Sequence, residues 1–302
     1  MRIITALITP FLEGKVNLHQ FEKNIEFQLE AGIEGLLVLG TTGEAATLSE
    51  HERGELIKTA VTVVNGRVPV LVGTGTNSTA TTIAYTKEAE RLGADSALIV
   101  TPYYNLPMEE GIYEHYASVC QHTHIPICLY NIPKRTGRNL SLELIKKLTK
   151  FDQIMGIKES SPDFYQLGFF IKEFGTRLKI WSGDDGAALS AMALGCDGLM
   201  SVASNLIPYQ IKEIIDLTFQ SNFKEAREKF FSLIHLFDAL FTESNPIGIK
   251  AAMELCGYSV GSPRLPLSPM SKSHRERLQT ILQELKCNAI PALSSIPMTT
   301  SL

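Results

Sequence analysis

The 302-residue sequence is short of several things, and each shortage excludes a class. No apolar run approaches the length of about eighteen residues that a membrane span needs, and the mean hydropathy is only +0.06. Neither charge sign dominates: 28 basic against 32 acidic side chains leave a formal net charge of −4. That balance carries no electrostatic footprint for nucleic acid or an anionic membrane. The five cysteines (Cys120, Cys128, Cys196, Cys256, Cys287) are odd in number and widely spread, with no C-x-x-C pair. A disulfide framework and a zinc ribbon are therefore not expected, and a reducing cytoplasm is the expected setting. No Gly-Lys-Ser/Thr completes a phosphate loop, and after Gly73-Thr74-Gly75 the glycine that a dinucleotide fingerprint needs is Ser78. There is no low-complexity linker. The opening Met1–Pro10 carries one basic residue and a short apolar stretch broken by threonine, which fits a first buried strand better than a signal peptide.

What is present is alternation. Short β-rich runs are expected at Ile3–Ile8, Gly35–Leu39, Pro69–Val72, Ser96–Val100, Pro126–Tyr130, Gln153–Ile157, Leu178–Trp181 and Gly198–Ser201. Amphipathic helical stretches lie between them. Leu18–Ala31 is ended by Gly32, Ser49–Val64 starts with Ser49 and Glu52 in capping-box spacing, and Thr79–Leu92 is ended by Gly93. Glu109–Gln121, Ser141–Thr149, Asp163–Phe174 and Gly186–Leu194 continue the series. The strands are apolar at nearly every position, as when both faces are covered. About eight units of about thirty residues predict a closed (β/α)8 TIM barrel over residues 1–220 rather than an open doubly wound sheet. Residues 221–287 read as a C-terminal helical appendage (Asn222–Phe241, Pro246–Cys256, Ser271–Lys286), and residues 288–302, rich in Ser, Thr and Pro, as a loose tail.

In such a barrel the chemistry sits at the C-terminal ends of the strands. The residues falling there are Gly40-Thr41-Thr42-Gly43-Glu44, Thr101-Pro102-Tyr103-Tyr104, Tyr130-Asn131-Ile132-Pro133, Arg135-Thr136-Gly137, Gly156-Ile157-Lys158-Glu159 and Ser182-Gly183-Asp184-Asp185. If Ile157 faces the helices, period-two alternation turns Lys158 into the barrel. Burial disfavours a charged lysine, and a neutral amine attacks a carbonyl to form a Schiff base; the alternative is a rim lysine reaching solvent. Tyr130, ending the adjacent strand, can shuttle protons beside it, or can simply pack on its ring. The Thr41-Thr42 turn offers two hydroxyls and close backbone amides to a carboxylate, or is a plain strand-to-helix turn. Arg135 can clamp a second carboxylate, or face water. Metal readings are weak. His122 and His124 precede the fifth strand, at the opposite rim, and read as a surface loop; Asp184 and Asp185 read as helix caps.

Taken together, these motifs resemble the dihydrodipicolinate synthase / N-acetylneuraminate lyase family, in order and at family-like spacing from about residue 2 to 286, with Asn245-Pro246 fitting too. Paired threonines and Arg135 favour its synthase branch over the sialic acid lyases. The resemblance implies condensation of pyruvate with L-aspartate 4-semialdehyde in lysine and diaminopimelate synthesis. It gives Lys158 the imine, Thr41 and Thr42 the pyruvate carboxylate, and Tyr130, Thr41 and Tyr104 a proton relay, with Tyr104 reaching in from a neighbouring subunit. It gives Arg135 the semialdehyde carboxylate, and puts Met200 near the site through its main-chain carbonyl. It also implies no cofactor, no metal, a cytoplasmic location and a homotetramer built as a dimer of dimers.

One departure stands out. Relatives bind L-lysine as a feedback inhibitor between subunits. Asn77 and Tyr103 match that pattern, but Glu50 and Arg53 stand where enterobacterial-type members have histidines, and Thr81 where they have a glutamate. Weak or absent lysine inhibition is expected. Three rivals remain open: a lyase for a longer 2-keto acid, a metal-dependent barrel hydrolase using Asp184 and Asp185, and a non-catalytic keto-acid-binding barrel.

Overall fold

Eight parallel strands close into a barrel in a computed structural model that describes residues 1–286. The strands are β1 (Ile3–Ala6), β4 (Gly35–Val38), β5 (Val70–Gly73), β6 (Ser96–Val100), β7 (Ile127–Asn131), β8 (Ile154–Glu159), β9 (Lys179–Ser182) and β10 (Gly198–Ser201). They pair in chain order, and β10 returns to β1 to remove the sheet edges. A two-stranded hairpin of β2 (Phe11–Leu12) and β3 (Lys15–Val16) follows β1. Its strands are too short for any periodicity to announce them. The outer helices are α1 (Leu18–Glu30), α2 (Glu50–Val64), α3 (Thr79–Arg91), α4 (Glu109–His122), α5 (Pro133–Thr136), α6 (Leu142–Leu148), α7 (Phe164–Phe174), α8 (Ala188–Leu194) and α9 (Pro208–Phe219). Beyond them come α10 (Phe223–Phe241), α11 (Ile247–Leu255) and α12 (Lys272–Glu284), with α10 packed against α9, α11 and α12. The expected tail and Cys287 lie outside the described residues.

The continuous apolarity of the strands resolves into two cores. Inward side chains (Ile4, Leu37, Leu71, Cys128, Trp181, Met200) fill the barrel, while their neighbours Ile3, Leu36, Ile127, Leu129 and Ile157 face the helices in a larger outer core. The lone tryptophan, Trp181, donates its indole N–H to the Met1 carbonyl at 2.8 Å. Local signals hold where a specific side chain or φ enforces them. Ser49 and Glu52 form a full capping box, and Gly32 and Gly93 take φ of +75° and +90°.

Two sequence expectations need correction. Lys158 does not follow a strand ending at Ile157: β8 continues through Glu159, because Gly183 N–H donates to the Glu159 carbonyl and extends the ladder. His122 is not in a loop but is the last residue of α4, its Nδ1 2.7 Å from the Ser118 carbonyl.

Candidate active site

Residues at the ends of β7 and β8 build the centre of the site. Their register pairs Tyr130 with Lys158 and Asn131 with Glu159. Alternation sends the first pair inward and the second outward. Inside, Lys158 is 5 % exposed, and its Nζ lies 4.6 Å from the centre of the Tyr130 ring. Outside, the Asn131 amide donates to both Glu159 oxygens at 2.9 and 3.2 Å, and Ser161 N–H donates to Oε1 at 2.6 Å. Burial raises the Glu159 pKa, against the pull of these hydrogen bonds. This clamp ties the two strand ends together, so the inward pair cannot slip relative to each other. Cys128, one inward position below Tyr130, is fully enclosed, and burial pushes its thiol up to about 12.

Gly183, after β9, makes room for the lysine. A Cβ there would stand 2.7 Å from Lys158 Cε and 2.0 Å from Ser160 Oγ. Sequence reasoning passed over this residue. The available signal was a glycine directly after a strand flanking the one that carries Lys158.

The Thr41–Gly43 segment is one turn of 3-10 helix after β4. Glu44 closes it in the left-handed region at φ +54°, and the Thr9 hydroxyl donates to the Gly43 carbonyl at 2.6 Å. The Glu44 carboxylate explains how that conformation is held. It pairs with Lys250 of α11 at 2.5 Å, both side chains almost wholly enclosed, and accepts the Arg264 main-chain N–H at 2.8 Å. Lys250 Nζ also lies 4.1 Å from the centre of the Phe11 ring. Burial lowers the Lys250 pKa, and Glu44 opposes that shift. This buried pair was not legible in the sequence, because its partners are two hundred residues apart in the chain.

The appendage also reaches the turn through Asn245, whose Nδ2 donates to Thr42 Oγ1 at 3.0 Å. Its main-chain carbonyl accepts from Arg135 Nη2 at 3.3 Å. A cavity of about 520 Å³ opens above Tyr130, and Thr41, Tyr130, Arg135, Asn245, Arg53 and Tyr103 are in its wall. The structure therefore gathers Thr41, Tyr130 and Arg135 around one space. Thr42 and Lys158 are buried and are not in that wall; Lys158 meets it through the Tyr130 ring, against which its Nζ lies, and Thr42 through Asn245. Met200 is fully buried in the inner barrel core with Tyr130. Tyr104 is not brought in: at φ +71° it is 88 % exposed, away from its own chain's cavity wall.

The remaining acidic pair has other work. Asp184 accepts Gly186 N–H at 2.9 Å, capping a short 3-10 turn. Asp185 is fully enclosed and accepts from the Ser201 hydroxyl and from Val202 and Ala203 N–H at 2.5, 2.9 and 3.0 Å. Its oxygens hold the loop after β10 and are not turned to a ligand. Among the described residues, no group of three or more His, Cys, Asp or Glu side chains is gathered to hold a metal, and no helix is long and apolar enough to cross a membrane.

Comparisons with known proteins agree with this geometry. A family model described as the dihydrodipicolinate synthetase family matches residues 1–285. A 4-hydroxy-tetrahydrodipicolinate synthase from Protochlamydia amoebophila is 43 % identical over 287 residues, covering 94 % of this chain and 96 % of the relative. The crystal structure of dihydrodipicolinate synthase from Aquifex aeolicus superposes with a TM-score of 0.93 at 40 % identity, covering 96 % of this chain and 99 % of that one. A structure described as the first monomeric dihydrodipicolinate synthase variant superposes with a TM-score of 0.92 at 39 % identity, covering 95 % and 97 %.

Proposed function

The chain belongs to the dihydrodipicolinate synthetase family, and on that premise we propose which of its residues carry the reaction. The activity is that of a 4-hydroxy-tetrahydrodipicolinate synthase, a lyase of the Schiff-base-forming aldolase type acting on the small molecules pyruvate and L-aspartate 4-semialdehyde in lysine and diaminopimelate synthesis. The observation that carries the assignment of residues is the enclosed Lys158 with its Nζ against the Tyr130 ring, below a cavity walled by a threonine and an arginine.

Lys158 Nζ attacks the pyruvate carbonyl carbon, and loss of water leaves the imine. The imine draws electrons from the methyl carbon, a proton leaves that carbon, and the resulting enamine forms a C–C bond to the aldehyde carbon of the second substrate while the aldehyde oxygen takes up a proton. The amine of that substrate then attacks the imine carbon and closes the ring, and expulsion of the Lys158 amine frees the enzyme. Tyr130 and Thr41 carry the protons that move to and from the carbinolamine oxygen, with Tyr104 supplied by a neighbouring subunit. Thr41 and Thr42 bind the pyruvate carboxylate, and Arg135 the carboxylate of the semialdehyde. The Met200 main-chain carbonyl sits near the bound pyruvate on this reading, its side chain being in the inner barrel core. On this reading the electron sink is the imine itself, so the reaction calls for neither cofactor nor metal. The cytoplasm is the compartment where a chain with no C-x-x-C pair and with soluble substrates would work. The exposure of Tyr104 supports a homotetramer built as a dimer of dimers, which sedimentation at micromolar concentration tests: a monomer would contradict it.

Borohydride reduction in the presence of pyruvate tests the assignment. The expected result is a stable adduct on Lys158 that Lys158→Ala abolishes together with turnover. Arg135→Ala should leave the adduct intact and raise the semialdehyde KM by about 10- to 100-fold, the loss of one charge-assisted hydrogen-bonded contact. Absence of any adduct in the unaltered protein would overturn the assignment.

A further inference from the structure

Asn245 touches both groups assigned to the two substrate carboxylates. Its side chain meets Thr42 and its main chain meets Arg135, and it stands in the wall of the same cavity. The chemistry of the Thr42 contact is directional. A threonine hydroxyl has one proton and two lone pairs. Asn245 Nδ2 carries only protons, so it occupies a lone pair of Thr42 Oγ1 and leaves the hydroxyl proton to be donated elsewhere. Thr42 is buried, and among the described residues its hydroxyl makes no hydrogen bond besides that with Asn245, so its proton has no acceptor among them. The Asn245 Oδ1 atom is buried without a hydrogen-bond partner. An amide turned the other way would take the Thr42 proton for itself.

We propose that Asn245 is a positioning residue for the pyruvate half of the reaction: it holds the Thr42 hydroxyl as a hydrogen-bond donor aimed at the substrate carboxylate, while its carbonyl steadies Arg135 for the second substrate. The proposal rests on the assignment of Thr42 and Lys158 given above. It gives the C-terminal appendage a direct part in substrate selection. Asn245 immediately precedes α11, which also carries Lys250, the partner of Glu44 at the end of the Thr41–Thr42 turn. An appendage residue thereby sets the polarity of a barrel hydroxyl. A ligand with an anionic group beside its carbonyl is accepted, and one with a neutral donor there is refused, because two donors would meet.

The test uses three substitutions in the full-length protein, singly and with the two at Asn245 also combined with Thr42→Val, and reads the pyruvate concentration that half-saturates borohydride trapping at Lys158, alongside kcat and both KM values. Asn245→Asp is close to isosteric but replaces the donor with an acceptor that captures the Thr42 proton. It should raise half-saturation by about 100-fold, whereas Asn245→Ser, whose shorter side chain no longer brings a donor to Thr42, should raise it by about 10-fold. The semialdehyde KM should move less than the pyruvate KM in both, since the main-chain carbonyl survives. In Thr42→Val the Asn245→Asp change should add little, because the hydroxyl that it acts through is gone. A merely structural role would rank the variants by lost packing, with Asp the milder, and would lower Tm without separating the two KM values; that result overturns the proposal. So does an Asp effect of equal size in the Thr42→Val background. If the unaltered protein traps pyruvate on Lys158 but the variants match it, the role of Asn245 fails while the assignment of Lys158 stands. If the unaltered protein traps nothing, the assignment itself fails. Should Asn245→Asp not fold, the Asn245→Ser and Thr42→Val pair decides through the same non-additivity.

Discussion

A methyl group added at Gly183 would stand 2.7 Å from Lys158 Cε, closer than carbon atoms pack. It would also stand 2.0 Å from Ser160 Oγ; both partners are side chains that can move, so strain there relaxes by rotating Ser160 and displacing the lysine stem with its Nζ rather than by unfolding the barrel. Gly183→Ala is therefore expected to cost about 100-fold in kcat, the usual consequence of misplacing a reacting atom by about 1 Å. Its Tm should fall only a few degrees. Paired turnover and calorimetric measurements check this: a normal kcat would mean that Lys158 adapts without losing its aim. The same scale accounts for the tie between Asn131 and Glu159. Hydrogen bonds on the outer face of β7 and β8 hold the inward-facing Tyr130 and Lys158 at fixed spacing.

Among the outer elements, α3 and α4 meet through a buried histidine. His115 of α4 has its Nδ1 2.9 Å from the Thr79 hydroxyl of α3, while its Nε2 is enclosed without a partner. Burial lowers its pKa from 6.5 to about 4. A depressed folded-state value means that the neutral ring is favoured by folding. The contribution is complete above pH 6.5 and is lost as the pH falls toward 4. That difference amounts to about 3 kcal/mol at full extent. Urea midpoints measured between pH 7 and pH 4.5 should fall, and His115→Gln should flatten that fall. An unchanged pH profile in the variant would show that other groups control acid stability.

The cavity of the whole molecule joins two regions of different charge demand. Beyond Thr41 and Tyr130 its wall includes Arg53, whose guanidinium lies 4.1 Å from the centre of the Tyr85 ring and donates to the carbonyls of Ala45 and Gly73. Thr81 and Tyr103 share that part of the wall, and no carboxylate stands where Thr81 does. A lysine ligand would bring its ammonium toward the buried Arg53 cation with no carboxylate at position 81 to receive it, and meeting of like charges costs several kcal/mol. Inhibition by L-lysine is therefore expected only above about 1 mM, or not at all. Steady-state assays with lysine from 0.1 to 10 mM, on the order of the affinities at issue, check this, and half-inhibition below the middle of that range would contradict it.

The alternation of apolar strands and capped helices, the inward turn of Lys158 and Tyr130, and the reactive rim were all legible in the sequence. Each depends on local periodicity: two residues per strand repeat, 3.6 per helical turn, and a glycine or serine at a helix end. Asp184 was legible as a cap for the same reason; Asp185, expected as a cap too, instead holds the loop after β10, a long-range contact that no local pattern announces. The hairpin at Phe11–Val16, the full length of β8 and the helical position of His122 were not, because neighbouring strands, rather than local propensity, decide where short elements stop. The contacts that complete the site come from farther away still. Asn245 meets Thr42, Lys250 meets Glu44, and Gly183 yields space to Lys158 only once the barrel has closed and the appendage has packed on it. The sequence by itself thus determined the architecture and the candidate side chains at the rim, since both follow from local pattern and residue chemistry. Tertiary structure alone decided which groups meet the Thr41–Thr42 turn and hold it in place, because a contact between residues two hundred positions apart leaves no local trace.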